Sequence, residues 1–121
     1  MVEVHKDFGV IVSGFGSIGS GGHQYRAYKV EEVNVLKEPL VLKLAKAKRK
    51  TPAQIVLRWH VQRGTVPLVK TSTESRLAEN LAIHDFKLSQ QEMAKMAELD
   101  ADKRLFNPKY LASQGYQPYF E

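Results

Sequence analysis

Thr65-Val66-Pro67-Leu68-Val69-Lys70-Thr71-Ser72-Thr73-Glu74-Ser75-Arg76-Leu77-Ala78-Glu79-Asn80 reads as a strand, a polar loop and a helix in direct succession. The run from Thr65 to Val69 is apolar enough for a strand, although Pro67 removes one ladder hydrogen bond from it. Leu77 and Leu81 lie four apart and predict a helix from about Ser75 to Ile83 with both leucines on one face. Strands joined through helices imply parallel pairing and an α/β fold.

The same stretch has the chemistry of an anion site. Lys70 stands at the C-terminal end of the strand, and Thr71, Ser72 and Thr73 add three hydroxyls in a row. The first N–H groups of the following helix are free to bind an anion. Arg76 lies one turn in and can fork onto a phosphate. Glu79 and Asn80, three and four residues beyond Arg76, lie on the same side and could reach the polar edge of a purine. An ordinary capped helix fits these residues as well, with Ser72 or Thr73 as N-cap and Lys70 and Arg76 solvated. Spacing leaves both readings open.

Upstream, Thr51-Pro52-Ala53-Gln54 is a capping box with proline at the first helical position. Ile55 and Trp59 share one face of that helix, with Val56 alongside, and Gly64 ends it. An earlier helix is predicted from Glu38 or Pro39 to about Ala47, with Leu40, Val41 and Leu44 on its apolar stripe. The cations Lys43, Lys46, Lys48, Arg49 and Lys50 gather at its C-terminal end, where the helix dipole favours them. Before it, Val10-Ile11-Val12 reads as a strand buried on both faces. Residues 13–22 are rich in Gly and Ser, and residues 23–35 read as a long loop. Downstream, Ser89-Gln90-Gln91-Glu92 is a second capping box, opening a helix with Met93, Met96 and Ala97 inward. Residues 100–121 read as an irregular tail carrying Phe106, Tyr110, Tyr116, Tyr119 and Phe120. Two strands leave open edges and uncovered apolar area. The pattern therefore predicts part of a larger α/β sheet or barrel.

Gly14-Phe15-Gly16-Ser17-Ile18-Gly19 matches G-x-G-x-x-G after a strand. The dinucleotide fingerprint of that form opens a helix and places an acid at the end of the next strand. Here Ser20-Gly21-Gly22-His23 leads into a loop, and Glu38 sits beside Pro39 at a helix start. A ligand loop at the C-terminal end of a buried strand fits better than that fingerprint.

The 121 residues make one domain at most, and a hydrophobic fraction of 43% fits a folded chain. There is no cysteine, hence no disulfide framework or thiolate metal site. His5, His23, His60 and His84 show no ligand spacing, so no metal is expected. No run is long enough to span a bilayer and the N-terminus lacks a signal-peptide pattern; no membrane partner and a cytoplasmic location are expected. The net charge of +5 favours anionic partners. The basic run from Lys43 to Lys50 lacks interleaved aromatics and a groove-reading motif. It reads as a solvated helix end, and Trp59, Met93 and Met96 read as core.

Taken in order, these motifs resemble the C-terminal part of an aldo-keto reductase, over nearly the whole chain. Thr51-Pro52-Ala53-Gln54, Leu57-Arg58-Trp59 and Gln62-Arg63-Gly64 resemble that family's penultimate barrel helix. Lys70-Thr71-Ser72 with Arg76 and Glu79-Asn80 resembles its cofactor signature, and Asp85-Phe86-Lys87-Leu88-Ser89 with Glu92-Met93 its C-terminal segment. The resemblance implies the C-terminal part of a (β/α)8 TIM barrel, about two βα units plus a C-terminal helix and tail. Its divisions would be a strand and glycine-rich cofactor loop in 1–22, helices in 38–64, a strand and cofactor site in 65–83, and a helix and tail in 89–121. It also implies NADP(H), with Lys70, Thr71 and Arg76 holding the 2′-phosphate, Thr73 close to it, and Glu79 and Asn80 on the adenine. Phe15 falls at the aromatic under the nicotinamide, and Ile18 and Ser20 at positions touching the pyrophosphate. Phe106, Tyr110 and Tyr116 would border the substrate pocket.

The chain departs from the family where Gly16-Ser17-Ile18-Gly19 replaces a common Ser-Pro-Leu-Gly run, and where Val69 replaces the proline before the signature lysine. The family reduces carbonyls by hydride transfer with a Tyr, Lys, Asp and His set. Tyr25, Tyr28, Tyr110, Tyr116 and Tyr119 lack the tyrosine motif, so no catalytic residue is assigned. Met1-Val2-Glu3-Val4-His5-Lys6 resembles the tail of the preceding family helix, so an incomplete barrel is expected, inactive as an isolated chain. Three readings stand: an NADP(H)-binding part of an enzyme for small carbonyl substrates; a non-catalytic truncated module that self-associates or pairs with the missing half; and a small basic nucleic-acid binder.

Overall fold

The computed structural model describes residues 7–19 and 34–101. Strand β1 (Val12–Phe15) is followed by a 3-10 turn (Val35–Lys37) and helices α1 (Pro39–Lys48) and α2 (Pro52–Gln62). Strand β2 (Thr65–Leu68), helix α3 (Glu74–Leu81) and helix α4 (Gln90–Ala97) complete the order. β1 and β2 pair in parallel, with Val12 opposite Thr65, Ser13 opposite Val66, Gly14 opposite Pro67 and Phe15 opposite Leu68. The described part is thus an α/β arrangement with a two-stranded parallel sheet.

Local chemistry sets these boundaries. Pro39 lies in the first turn of α1, where its missing N–H costs nothing, and Arg49 closes the helix in the left-handed region. Both halves of the Thr51 capping box form: Thr51 Oγ1 accepts from the Gln54 N–H at 3.3 Å, and Gln54 Oε1 accepts from the Thr51 N–H at 3.0 Å. Gly64, at φ 84°, takes the left-handed position after α2 that a side chain would resist. The Ser89–Glu92 box forms in the same way at the start of α4.

The core lies between α1, α2 and α4. Val41 and Ile55 are fully buried, with Leu44, Ala45, Val56, Leu88 and Met96 around them, and Leu57 is buried outside this cluster. Leu40, Trp59 and Met93 pack against this cluster from its margin. Ala97, expected inward beside the methionines, is exposed. Arg58 is also buried; its Nε donates to Gln62 Oε1 at 2.8 Å and its Nη1 to the Ile83 carbonyl at 3.1 Å. Gln62 in turn holds both backbone groups of Leu88, at 2.9 and 2.7 Å. These bonds keep buried polar groups satisfied and fasten the 82–89 connection to α2. Lys48 pairs with Glu92 at 2.9 Å and ties the end of α1 to the start of α4.

The expected first strand is corrected. The strand is Val12–Phe15, not Val10–Val12; Val10 and Ile11 precede it and are exposed. Among the described residues β2 is the strand that pairs with β1, and its length sets which residues of β1 find ladder partners. In α3, the face shared by Leu77 and Leu81 is turned to the outside, the two being 54% and 75% exposed. The opposite side of α3 meets α2 through polar groups, as Thr51 Oγ1 donates to the Glu79 carboxylate and Gln54 Nε2 to the Glu79 carbonyl at 2.9 Å. The buried apolar residue is Ile83, in the turn after the helix.

Removing Ile55 tests where the core lies. Ile55→Ala is expected to cost about 2–5 kcal/mol of unfolding free energy. Leu77→Ala should stay within about 0.5 kcal/mol. Urea midpoints of the two variants check this, and equal losses would contradict the assignment.

Candidate functional site

Parallel pairing brings both loops to one end of the sheet. β1 ends at Phe15 and β2 at Leu68, and these two residues are register partners. The glycine turn Gly16–Gly19 and the Val69–Thr73 loop therefore leave the sheet side by side. Ligand sites of α/β proteins lie at this C-terminal edge.

The second loop is polar and open. Lys70 is exposed at the strand end and Thr71 is half-buried. Thr71 Oγ1 accepts from the Thr73 N–H at 3.1 Å, forming a small hydroxyl turn that delivers the chain into α3. Thr73 is the N-cap residue but places no side-chain bond on the first turn. The Arg76 N–H bonds the Thr73 carbonyl at 3.1 Å, and the first turn of α3 carries no side-chain cap. Arg76 is exposed in the first turn of α3. Glu74 brings a negative charge into this turn and is also exposed. Of the two readings that spacing left open, the side-chain-capped helix lacks its capping bond.

Glu79 and Asn80 are half-buried. Glu79 has a structural partner in Thr51. That bond and the Gln54 bond fix how α3, and with it Arg76, stands relative to α2. The lysine, the hydroxyls and the arginine thus belong to one loop–helix unit, with Glu79 and Asn80 at its far end against the α2 N-terminus.

The first loop is a tight turn, with the Gly19 N–H donating to the Gly16 carbonyl at 2.8 Å. Gly16 and Gly19 have φ of 66° and 87°, values that glycine adopts without strain. Phe15 is 69% exposed on the sheet face that also carries Val66 and Leu68. The Ile18 side chain packs against the helical core. Ser20, Phe106, Tyr110 and Tyr116 lie outside the described residues, as do Tyr25, Tyr28 and Tyr119.

Sequence reasoning did not single out His60 as part of this region. Its Nε2 stands 3.2 Å from the Ser17 carbonyl, and its Nδ1 stands 3.1 Å from Thr65 Oγ1. A carbonyl only accepts, so Nε2 carries the proton, while the Thr65 hydroxyl beside Nδ1 donates to the His60 carbonyl at 2.9 Å. Burial lowers the His60 pKa from the ordinary 6.5; the Ser17 carbonyl opposes this, and the Arg63 charge adds to it. Arg63 itself lies over the Trp59 ring at 4.3 Å. The only sequence signal for this contact was a histidine placed five residues before a strand threonine. Gly16, Ser17, Gly19, Trp59, His60, Arg63 and Met93 are among the residues lining a cavity of about 540 Å³ behind the turn. Among the described residues, no group of three or more His, Cys, Asp or Glu could hold a metal. No helix among them is long and apolar enough to cross a membrane.

At one edge of a parallel strand pair, a basic hydroxyl loop enters a helix beside a glycine turn. Residues 1–101 match the model of the aldo/keto reductase family. The chain belongs to that family. It is 35% identical over 103 residues to the 9,11-endoperoxide prostaglandin H2 reductase of Trypanosoma cruzi, covering 85% of this chain and 33% of that protein. It is 35% identical over 100 residues to aldo-keto reductase family 1 member A1 of Gallus gallus, covering 83% and 30%. With methylglyoxal reductase DkgA of Salmonella typhimurium it shares 46% identity over 71 residues, covering 59% and 26%. The chain thus matches about a third or less of the length of these relatives.

The two depressed pKa values separate in pH. His60 binds its proton more weakly in the folded chain than in the unfolded one, so stability should fall as pH drops below 6.5. For Glu92, burial opposes ionisation, but the Ser89 N–H and Lys48 outweigh it and lower the pKa from 4.5, so its contribution is lost only below that pH. Urea midpoints at about pH 7.5 and pH 5.5 should show a loss in the parent chain that His60→Gln removes. An equal loss in both would contradict the account.

Proposed function

We propose that this chain is an NADP(H)-binding part of an aldo-keto reductase barrel and serves NADPH-dependent reduction of aldehydes or ketones to alcohols. The observation that carries the reading is the Lys70–Arg76 loop at the C-terminal edge of a parallel sheet, with no side-chain cap on its helix. Lys70, Thr71 and Arg76 would hold the 2′-phosphate, with Thr73 beside it and Glu79 and Asn80 at the adenine. The donor set fits a phosphate monoester: two cations, hydroxyls and helix N–H groups at one loop. Phe15 would meet the nicotinamide, and Ile18 and Ser20 the pyrophosphate. When bound, the cofactor supplies the hydride. We assign no catalytic acid in this chain.

The two faces of the sheet support the (β/α)8 barrel as its setting. Val12, Gly14, Thr65 and Pro67 share the less exposed face, while Ser13, Phe15, Val66 and Leu68 share the exposed one. An apolar face turned away from the helices suits a barrel interior, filled by side chains from further strands. Carbonyl reduction is therefore proposed for the barrel in which these two units stand. The nucleic-acid reading is less favoured, because Lys48 pairs with Glu92 and Lys50 with Asp85 within the basic run.

The chain should prefer NADPH to NADH in a titration followed by Trp59 fluorescence. Charge-assisted bonds are worth roughly 1.5–3 kcal/mol each, so replacing both Lys70 and Arg76 by Ala should remove most of the preference. Equal affinity of the parent chain for the two cofactors would overturn the proposal.

A further inference from the structure

The glycine turn is held from behind by a residue of another element. Within the turn, Ser17 Oγ donates to the Gly14 carbonyl at 2.6 Å and the Gly19 N–H to Gly16. These bonds fix the turn's shape but not its position over the sheet. Among the described residues, contacts from outside bear on its position: Ile18 packs into the helical core, and His60 Nε2 donates to the Ser17 carbonyl. Ile18 gives an apolar, non-directional anchor, whereas the His60 bond fixes where one peptide plane points.

His60 is itself held. Its ring lies edge-on to Trp59, with centroids 5.1 Å apart, and the Thr65 hydroxyl faces Nδ1. Thr65 is the first residue of β2 and one of the few buried polar groups. One rigid unit, the end of α2 with the start of β2, therefore reaches through the imidazole to the loop that follows β1. The close fit continues at Gly14: a Cβ there would stand 2.8 Å from Ser17 Oγ and 4.0 Å from His60 Cε1. A side chain at Gly14 would displace the Ser17 hydroxyl from its bond to the Gly14 carbonyl.

We propose that His60 is a positioning residue of the dinucleotide site, setting the orientation of the Gly16–Gly19 turn through the Ser17 carbonyl. The inference rests on the reading of this turn and the Lys70–Asn80 unit as two ends of one cofactor site. His60 does not touch the cofactor in this account. It aims the backbone that faces the pyrophosphate half, while the 2′-phosphate end is held independently by Lys70 and Arg76.

The test uses the full 121-residue chain with two ligands, NADPH and adenosine 2′,5′-bisphosphate, which lacks the nicotinamide half. His60→Ala should weaken NADPH about three- to tenfold, the value of one directed hydrogen bond, and leave the bisphosphate unchanged. His60→Gln, whose amide nitrogen reaches about as far as Nε2, should restore NADPH affinity. Unchanged NADPH affinity in His60→Ala, or equal weakening of both ligands, would overturn the inference. If the parent chain binds neither ligand, the cofactor reading fails. The positioning claim is then judged on backbone amide shifts of the free chain. His60→Ala should move Gly16, Ser17 and Gly19 and leave Thr71 to Thr73 in place; unmoved glycine-turn amides would overturn it.

Discussion

The parallel pairing of Val12–Phe15 with Thr65–Leu68 governs everything else in this structure. Parallel strands cannot be joined by a tight turn; they require a long crossover, and here it includes α1 and α2. The crossover supplies the core, because those helices must bury one side against the sheet and against each other. The pairing also dictates where chemistry can gather. Both strands point the same way, so the loops that follow them emerge at one edge. An antiparallel pair would have sent the glycine turn and the basic loop to opposite ends.

The packing around this pair is divided by chemistry. Apolar contacts among Val41, Ile55, Val56 and Met96 supply the bulk of the driving force, in proportion to the area they remove from water. Polar ties give direction. Gln62 and Arg58 fasten the 82–89 connection, Thr51 and Gln54 set α3 through Glu79, and His60 reaches the glycine turn. The candidate site thus stands on loops whose orientation comes from specific hydrogen bonds to α2. A single helix with buried residues from Gln54 to Arg58 is the frame for both halves of the site.

Much of this was legible in the residues because the signals are local. The Thr51–Gln54 and Ser89–Glu92 boxes marked two helix starts, and both form as read. Gly64 marked the end of α2, and Pro67 did not prevent a strand. What escaped was set by partners distant in sequence. The Leu77 and Leu81 stripe has helical spacing, but the Glu79 tie turns the other side of α3 toward α2. The extent of β1 depends on which residues find ladder partners in β2. His60 carried no motif, since its role arises from a carbonyl 43 residues away. The lysine, hydroxyls and arginine of the site were visible as a motif. That they share an edge with the glycine turn required the register.

The central claim is that the Lys70–Arg76 loop binds the 2′-phosphate end of NADP(H). It is tested most directly by an amide-resolved titration of the chain with adenosine 2′,5′-bisphosphate. The account predicts that the backbone signals of Thr71 to Arg76 move with saturation, while those of the basic run from Lys43 to Lys50 stay in place. Saturable shifts centred on residues 43–50, or no shift at residues 71–76, would contradict it.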